Sequence, residues 1–173
     1  MNKFMDVIKE RRSIRKYESR QILDTELEYV LEAGKYAASA SGRQSCVFVA
    51  VTDPVMIKEL SIMNAKIMGA DTDPFYGAPS IILVFADATY NTHVEDGSCA
   101  IQNMMLAAYS IGLGSCWIHR ERQMFETDRG RQLKKEWGIP DKCVGIGACI
   151  LGYPACEHPK AAKRKEDFVI YVK

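Results

Sequence analysis

The stretch from Asp96 to Ile111, DGSCAIQNMMLAAYSI, is apolar nearly all round when wound as a helix. Cys99, Ala100, Ile101, Met104, Met105, Leu106, Ala107, Ala108 and Ile111 leave little face for water, so this is a central helix covered on most sides. Its flanks supply the cover. Val47 to Thr52 and Ser80 to Ala86 are short runs rich in β-branched residues that read as buried strands. Ser115 to Ile118 reads as a short strand, and Val144 to Leu151 as a strong one whose glycines allow close packing. Further helices follow from spacing. Phe4, Val7 and Ile8 mark a short one ending near Arg12. Leu27, Val30, Leu31 and Gly34 line another that begins at Asp24-Thr25, where Thr25 and Glu28 have capping-box spacing. Pro54 opens a third, which carries Val55, Ile57, Leu60, Ile62, Met63 and Ile67. Thr127 to Trp137 is amphipathic and is stopped by Gly138 and Pro140. Gly69 to Pro79 is a loop with Phe75-Tyr76-Gly77 at its tip. After an irregular basic tail, Phe168 to Val172 reads as a final strand. Interleaved strands and helices make a domain with helices on the faces of a sheet.

Composition narrows the class. A chain of 173 residues suits one domain, 1–173, with 154–173 as a C-terminal arm. A net charge of +1 argues against nucleic acid as the main partner, because neutralising a phosphate backbone takes a broad basic surface. No run approaches the roughly 20 apolar residues of a membrane span, and the opening Met1 to Asp6 lacks a signal-peptide core. Cys46, Cys99, Cys116, Cys143, Cys149 and Cys156 show neither CxxC nor zinc or iron–sulfur spacing. They are expected to be reduced thiols of a cytoplasmic protein.

The chemistry gathers elsewhere. Glu10 to Tyr17 (ERRSIRKY) packs Arg11, Arg12, Ser13 and Arg15 into five residues. Guanidinium forks and a small hydroxyl suit phosphate oxygens, so the run is a candidate clamp for a small anion. No P-loop, complete GxGxxG, HExxH or GxSxG is present, and His93, His119 and His158 are scattered. Anion- and amide-binding segments without an obvious side-chain catalyst suit a protein whose cofactor does the chemistry.

Over nearly its full length the chain resembles the nitroreductase-like family of FMN-dependent oxidoreductases. Four segments carry the resemblance in order: Arg11 to Tyr17; Ala38 to Ser45 (ASASGRQS); the helix with Ile101-Gln102-Asn103, leading into Gly112 to Ile118 (GLGSCWI); and Leu151 to Pro154 (LGYP), followed by Lys163-Arg164-Lys165. The resemblance implies an α+β, three-layer α/β/α fold with a mixed, mainly antiparallel sheet, in an intertwined homodimer with FMN at the interface. It assigns Arg11, Arg12 and Ser13 to the FMN phosphate and Arg15 to the pyrimidine edge of the ring. It assigns Ser39, Ala40, Ser41 and Gln44 to contacts from the other subunit, and Trp117, Ile118 and His119 to the flavin floor, with a backbone N–H near N5. Lys163 and Arg164, with Lys165 as an alternative, resemble a basic pair that meets the same phosphate. No side chain is assigned as catalyst and no metal is implied. A thiol nucleophile built from Cys116 and His119 is disfavoured, because residues three apart on a strand point to opposite faces.

There are departures from the family pattern. Ala38 stands for a proline, Gly42 for an asparagine and Ser45-Cys46 for Pro-Trp, and the helical lid is short or missing. Phe75 and Tyr76 either stack over a planar substrate or pack on a neighbouring subunit. The implied reaction is ping-pong hydride transfer from NADH or NADPH, through FMN, to a nitroaromatic, quinone or other small electrophile. Reductive dehalogenation, dehydrogenation and non-catalytic flavin binding remain as alternatives on the same fold.

Overall fold

The computed structural model describes residues 3–173. Four strands are named among them: β1 (Cys46–Val51), β2 (Ser80–Asp87), β3 (Gly114–Ile118) and β4 (Cys143–Gly152). They form one sheet in the order β1-β2-β4-β3, and every neighbouring pair is antiparallel. Among the described residues, the parallel component of the expected mixed sheet is a single bridge between Ser13 and Ser115.

Central β2 is buried along its whole length, and its alternate residues divide between two cores. Ile81, Leu83 and Phe85 join one core with Ile14, Leu60, Met124, Phe125 and Leu133. Ile82, Val84 and Ala86 join the other with Val30, Ile101, Met104 and Ala108. The first core lies under α3 (Pro54–Met68), α5 (Glu121–Glu126) and α6 (Asp128–Glu136), and the second under α2 (Asp24–Lys35) and α4 (His93–Ser110). Helices on both faces explain why the strands read as unbroken apolar runs. A short α1 (Lys3–Glu10) precedes these layers.

Local chemistry sets the ends of the helices. The Asp53 carboxylate accepts from the Val55 and Met56 N–H groups at 3.2 and 3.1 Å, with Pro54 at the first position, and Gly69 closes α3 at φ 71°. At α2 the N-cap is Leu23, and its N–H donates to Glu26 Oε2 at 2.8 Å. The expected box of Thr25 and Glu28 is therefore corrected by two residues, because the chain enters helical geometry earlier than the threonine implied. Thr127 caps α6 by accepting the Gly130 N–H at 3.1 Å.

Three further expectations are corrected. α5 was not anticipated, because its six residues ERQMFE carry three charges and an acid that proves to be buried. Phe75 is fully buried in the core beside α3, so it neither covers a substrate nor meets a second subunit. The Asp73 carboxylate holds its loop, accepting from the N–H groups of Phe75 at 2.8 Å and Gly77 at 2.7 Å, which leaves only Tyr76 outward. Finally, Phe168 to Val172 is exposed and forms no strand, because no ladder partner is beside it among the described residues.

Candidate functional site

The N-terminal basic segment is fixed along the edge of the sheet. Ile14 and Tyr17 are buried, Ile14 N–H donates to Ser115 O at 3.0 Å, and Tyr17 OH donates to Ile14 O at 2.6 Å. Burial raises the Tyr17 phenol well above its usual range, so it stays a neutral donor. Tyr17 also bridges to Pro154, and Glu18 N–H donates to Tyr153 O at 2.9 Å. This alternation leaves Ser13 directly against Ser115.

Around that pair the hydrogen bonding is incomplete. Arg11 Nη1, Arg12 Nε and Ser115 Oγ are each shielded from water and have no hydrogen-bond partner among the described residues. A buried guanidinium nitrogen or hydroxyl without a partner is costly. Two cations and a hydroxyl in this condition beside a second serine are what a phosphate group satisfies. Arg12 also has a local duty, since its Nη1 donates to Lys9 O at 2.8 Å and to Arg11 O at 2.6 Å at the end of α1. Arg11 lies close enough to the fully buried Cys149 for its charge to oppose the strong upward push of burial on that thiol. Arg15 is exposed and makes no hydrogen bond or ion pair among the described residues.

β3 carries the site onward. From Ser115 to His119 is four strand rises, about 13 Å. Trp117 is half-buried on the α4 face, its indole packed where a Cβ on Gly147 would lie 2.5 Å from Nε1. Ile118 and Cys116 are buried on the opposite face, so Cys116 does not face a ligand beside Trp117. His119 is exposed, and its carbonyl accepts from Asn64 Nδ2 at 2.8 Å. Arg120 turns the chain at φ 86° and donates from Nη1 to Asn64 Oδ1 at 3.3 Å. Glu121 follows, fully buried, with neither carboxylate oxygen partnered. Burial pushes its carboxyl up to about 8 against smaller downward pulls from its own backbone N–H and the Arg120 charge, so the group is mostly protonated at neutral pH.

The second small-residue segment lies elsewhere in the same chain. Ser39, Ala40, Ser41 and Gln44 form a tight turn that feeds β1, the edge strand opposite β3. Three strand spacings separate the two edges, about 14 Å. The registers place Ser115 level with the end of β1 beyond Val51, whereas the turn joins β1 at Cys46. That adds about 20 Å along the strands. One chain thus keeps the arginine clamp and the turn at diagonally opposite corners of its sheet. Lys163 and Arg164 are likewise not brought to the clamp within the chain. They are exposed, with Lys163 donating to Glu166 at 3.1 Å and Arg164 to Ala162 O at 2.9 Å.

Three residues that matter here were not singled out from sequence: Ser115, Asp96 and Glu121. Ser115 had a visible signal, since it follows Gly112-Leu113-Gly114 and has the small hydroxyl already noted at Ser13. The other two gave none, because a first-turn acid is ordinary on any helix.

A layered α/β/α domain with an arginine segment fixed to one edge of an antiparallel sheet defines the class. The Nitroreductase family model matches residues 8–70 and 64–153, and the chain belongs to that family. A protein of Archaeoglobus fulgidus named for NADH dehydrogenase/NAD(P)H nitroreductase activity is 35% identical over 165 residues, 91% of this chain and 88% of that one. An NADPH-flavin oxidoreductase of Vibrio harveyi is 27% identical over 187 residues, 98% of this chain and 73% of that one. The crystal structure of a nitroreductase with bound FMN from Bacteroides fragilis matches at a TM-score of 0.91 and 29% identity, with both chains covered in full.

Proposed function

We propose that this chain is an FMN-dependent NAD(P)H oxidoreductase that works as an intertwined homodimer and reduces a nitroaromatic, quinone or other small electrophile. The observation that carries the reading is the trio of buried, unpartnered polar atoms, Arg11 Nη1, Arg12 Nε and Ser115 Oγ, around the Ser13–Ser115 bridge. Those residues would hold the FMN phosphate. When bound, FMN supplies the hydride acceptor and donor that no side chain here provides. Trp117, on the same strand as Ser115, and His119, just past its end, are the proposed floor for the ring. Ile118, expected there too, offers only its backbone because its side chain is buried on the opposite face, and exposed Arg15 is the cation available to the pyrimidine edge.

The diagonal separation of clamp and turn supports the dimer. Ser39, Ala40, Ser41 and Gln44 then serve the partner's site, and the arm 154–173 reaches across with Lys163 and Arg164. Exposed apolar side chains at Phe4, Met5, Ile8 and Phe168 to Val172 are the kind of surface a second copy covers. Among the described residues no helix is long and apolar enough to cross a membrane. The six free cysteines support a cytoplasmic setting.

Paired substitutions test the reading. Arg11→Ala is expected to weaken FMN binding roughly 10- to 100-fold, the worth of a charge-assisted hydrogen bond of about 1.5–3 kcal/mol. Arg15→Ala is expected to keep FMN affinity but to slow reduction by NADH at saturating FMN, because its charge matters most when the ring gains negative charge. Stopped-flow reduction beside a separate FMN titration reads both effects. If Arg15→Ala is reduced at the wild-type rate and differs only in affinity, Arg15 is another phosphate anchor. A wild-type protein that binds FMN but oxidises neither NADH nor NADPH with an added quinone is a flavin-binding module rather than an enzyme.

A further inference from the structure

The turn before β1 is an unusual piece of backbone. Ser41, Gly42 and Gln44 have φ of 54°, 63° and 50°, so three of four consecutive residues are left-handed, and two of the three are not glycine. L-residues enter that region reluctantly and stay there only when the surroundings hold them. Inside the turn the restraints are modest: Gly42 N–H donates to Ser39 O at 3.0 Å, Arg43 N–H to Ala40 O at 3.3 Å, and Gln44 N–H to Ser39 Oγ at 3.1 Å. Packing from below is also incomplete, since a cavity of about 190 Å³ lies under the turn, lined by Ser39, Gln44, Ser45, Phe48, Asp96 and Ala100 among others.

One group spans this space. Asp96, in the first turn of α4 and 5% exposed, accepts from Ala40 N–H through Oδ1 at 3.1 Å. Through Oδ2 it accepts from Ser45 Oγ at 2.7 Å. The two bonds grip the turn at both ends, just outside the left-handed residues. No lysine, arginine or histidine ion-pairs with Asp96 among the described residues, so its acceptor capacity is directed at the turn. The Ser45 carbonyl in turn accepts from Asp87 N–H at 3.1 Å, which ties the grip to the end of β2.

We propose that Asp96 is a positioning residue for flavin binding: it holds the backbone of residues 39–45 in the left-handed form that presents Ala40, Ser41 and Gln44 to the flavin ring across the subunit interface. The proposal rests on the dimeric FMN reading above. It separates two kinds of contact within one site, with Arg11 acting on the phosphate and Asp96, through the turn, acting on the ring. Asp96 touches no ligand in this scheme.

The test titrates flavin-free protein with FMN and with riboflavin, which lacks the phosphate, and follows quenching of flavin fluorescence. Asp96→Asn and Ser45→Ala are each expected to weaken both flavins by the same factor, roughly tenfold for one hydrogen bond to a charged group. Ser45→Thr, which keeps the hydroxyl, is expected to restore both affinities. A merely structural role lowers the melting temperature of the flavin-free protein and leaves both affinities at the wild-type value, which overturns the proposal. So does a loss confined to FMN, because it places the effect at the phosphate. If Asp96→Asn does not fold, Ser45→Ala and Ser45→Thr carry the comparison. A wild-type protein that binds neither flavin defeats the FMN reading and the proposal with it. Wild-type binding with unchanged variants defeats the proposal alone.

Discussion

Between pH 5 and pH 9 the wild-type protein should lose stability on the order of 4 kcal/mol that a Glu121→Gln variant keeps. Glu121 opens α5, is fully buried, and has neither carboxylate oxygen partnered. Burial raises its carboxyl from the ordinary 4.5 to about 8, against smaller opposing pulls from its own backbone N–H and from Arg120. The folded protein therefore holds this proton more tightly than the unfolded chain does. The contribution is intact below pH 4.5 and is lost as pH rises through about 8. Glutamine keeps the shape and never ionises, so the difference between the two proteins isolates this one group. Urea denaturation of both at pH 5, 7 and 9 reads it directly. Two stability curves that run parallel across that range mean that the carboxyl reaches water or a partner, contrary to the structure.

Gly130→Ala is the second large effect, and its sign opposes ordinary helix propensity. In an exposed helix interior alanine is better than glycine by about 1 kcal/mol. At Gly130 an added Cβ would sit 2.1 Å from the Met124 carbonyl oxygen and 2.5 Å from Phe125 Cα. These are backbone atoms of α5 and cannot swing aside. Moving α6 away would also stretch the Gly130 N–H bond to Thr127 Oγ1 that caps it. A destabilisation of about 3 kcal/mol is expected, at the upper end for overpacking. Gly69→Ala is a useful contrast, because the space around it is open and only its φ of 71° resists, a cost of about 1 kcal/mol. Equilibrium urea melts give both values. A Gly130→Ala protein as stable as wild type would show that α5 and α6 do not meet at this corner.

How much of this was written in the sequence varies by element, for physical reasons. β2 and β4 were legible because burial on both sides forces nearly unbroken apolar runs, and Ile81 to Phe85 hardly reads otherwise. α4 was legible from its apolar spacing, although Cys99 and Gln102 prove to be exposed rather than covered. α5 was hidden because its anchor is a buried acid rather than an apolar face. Phe75 misled because an aromatic at a loop tip reads as outward, whereas Asp73 folds the loop so that the ring drops into the core. The apolar run Phe168 to Val172 looked like a strand for sound reasons of composition, but a strand exists only where a neighbouring ladder receives it.

The site divides in the same way. A cluster of arginines with a serine is a local signal, so the proposed anion clamp could be picked out in one dimension. Its completion by Ser115 depends on a bridge between residues about a hundred positions apart. The diagonal placement of the Ala38 to Ser45 segment depends on strand order, which no local pattern encodes. Family resemblance suggested the proposed two-subunit site, and the sheet topology is consistent with it because it keeps the arginine segment and the turn apart within one chain.

The most direct test of the central claim compares FMN with riboflavin on flavin-free wild-type protein and on Arg11→Ala. If Arg11, Arg12, Ser13 and Ser115 hold a phosphate, wild type binds FMN at least roughly tenfold more tightly than riboflavin, and most of that gap closes in Arg11→Ala. Equal wild-type affinity for the two flavins, or a protein that binds neither, would contradict the account.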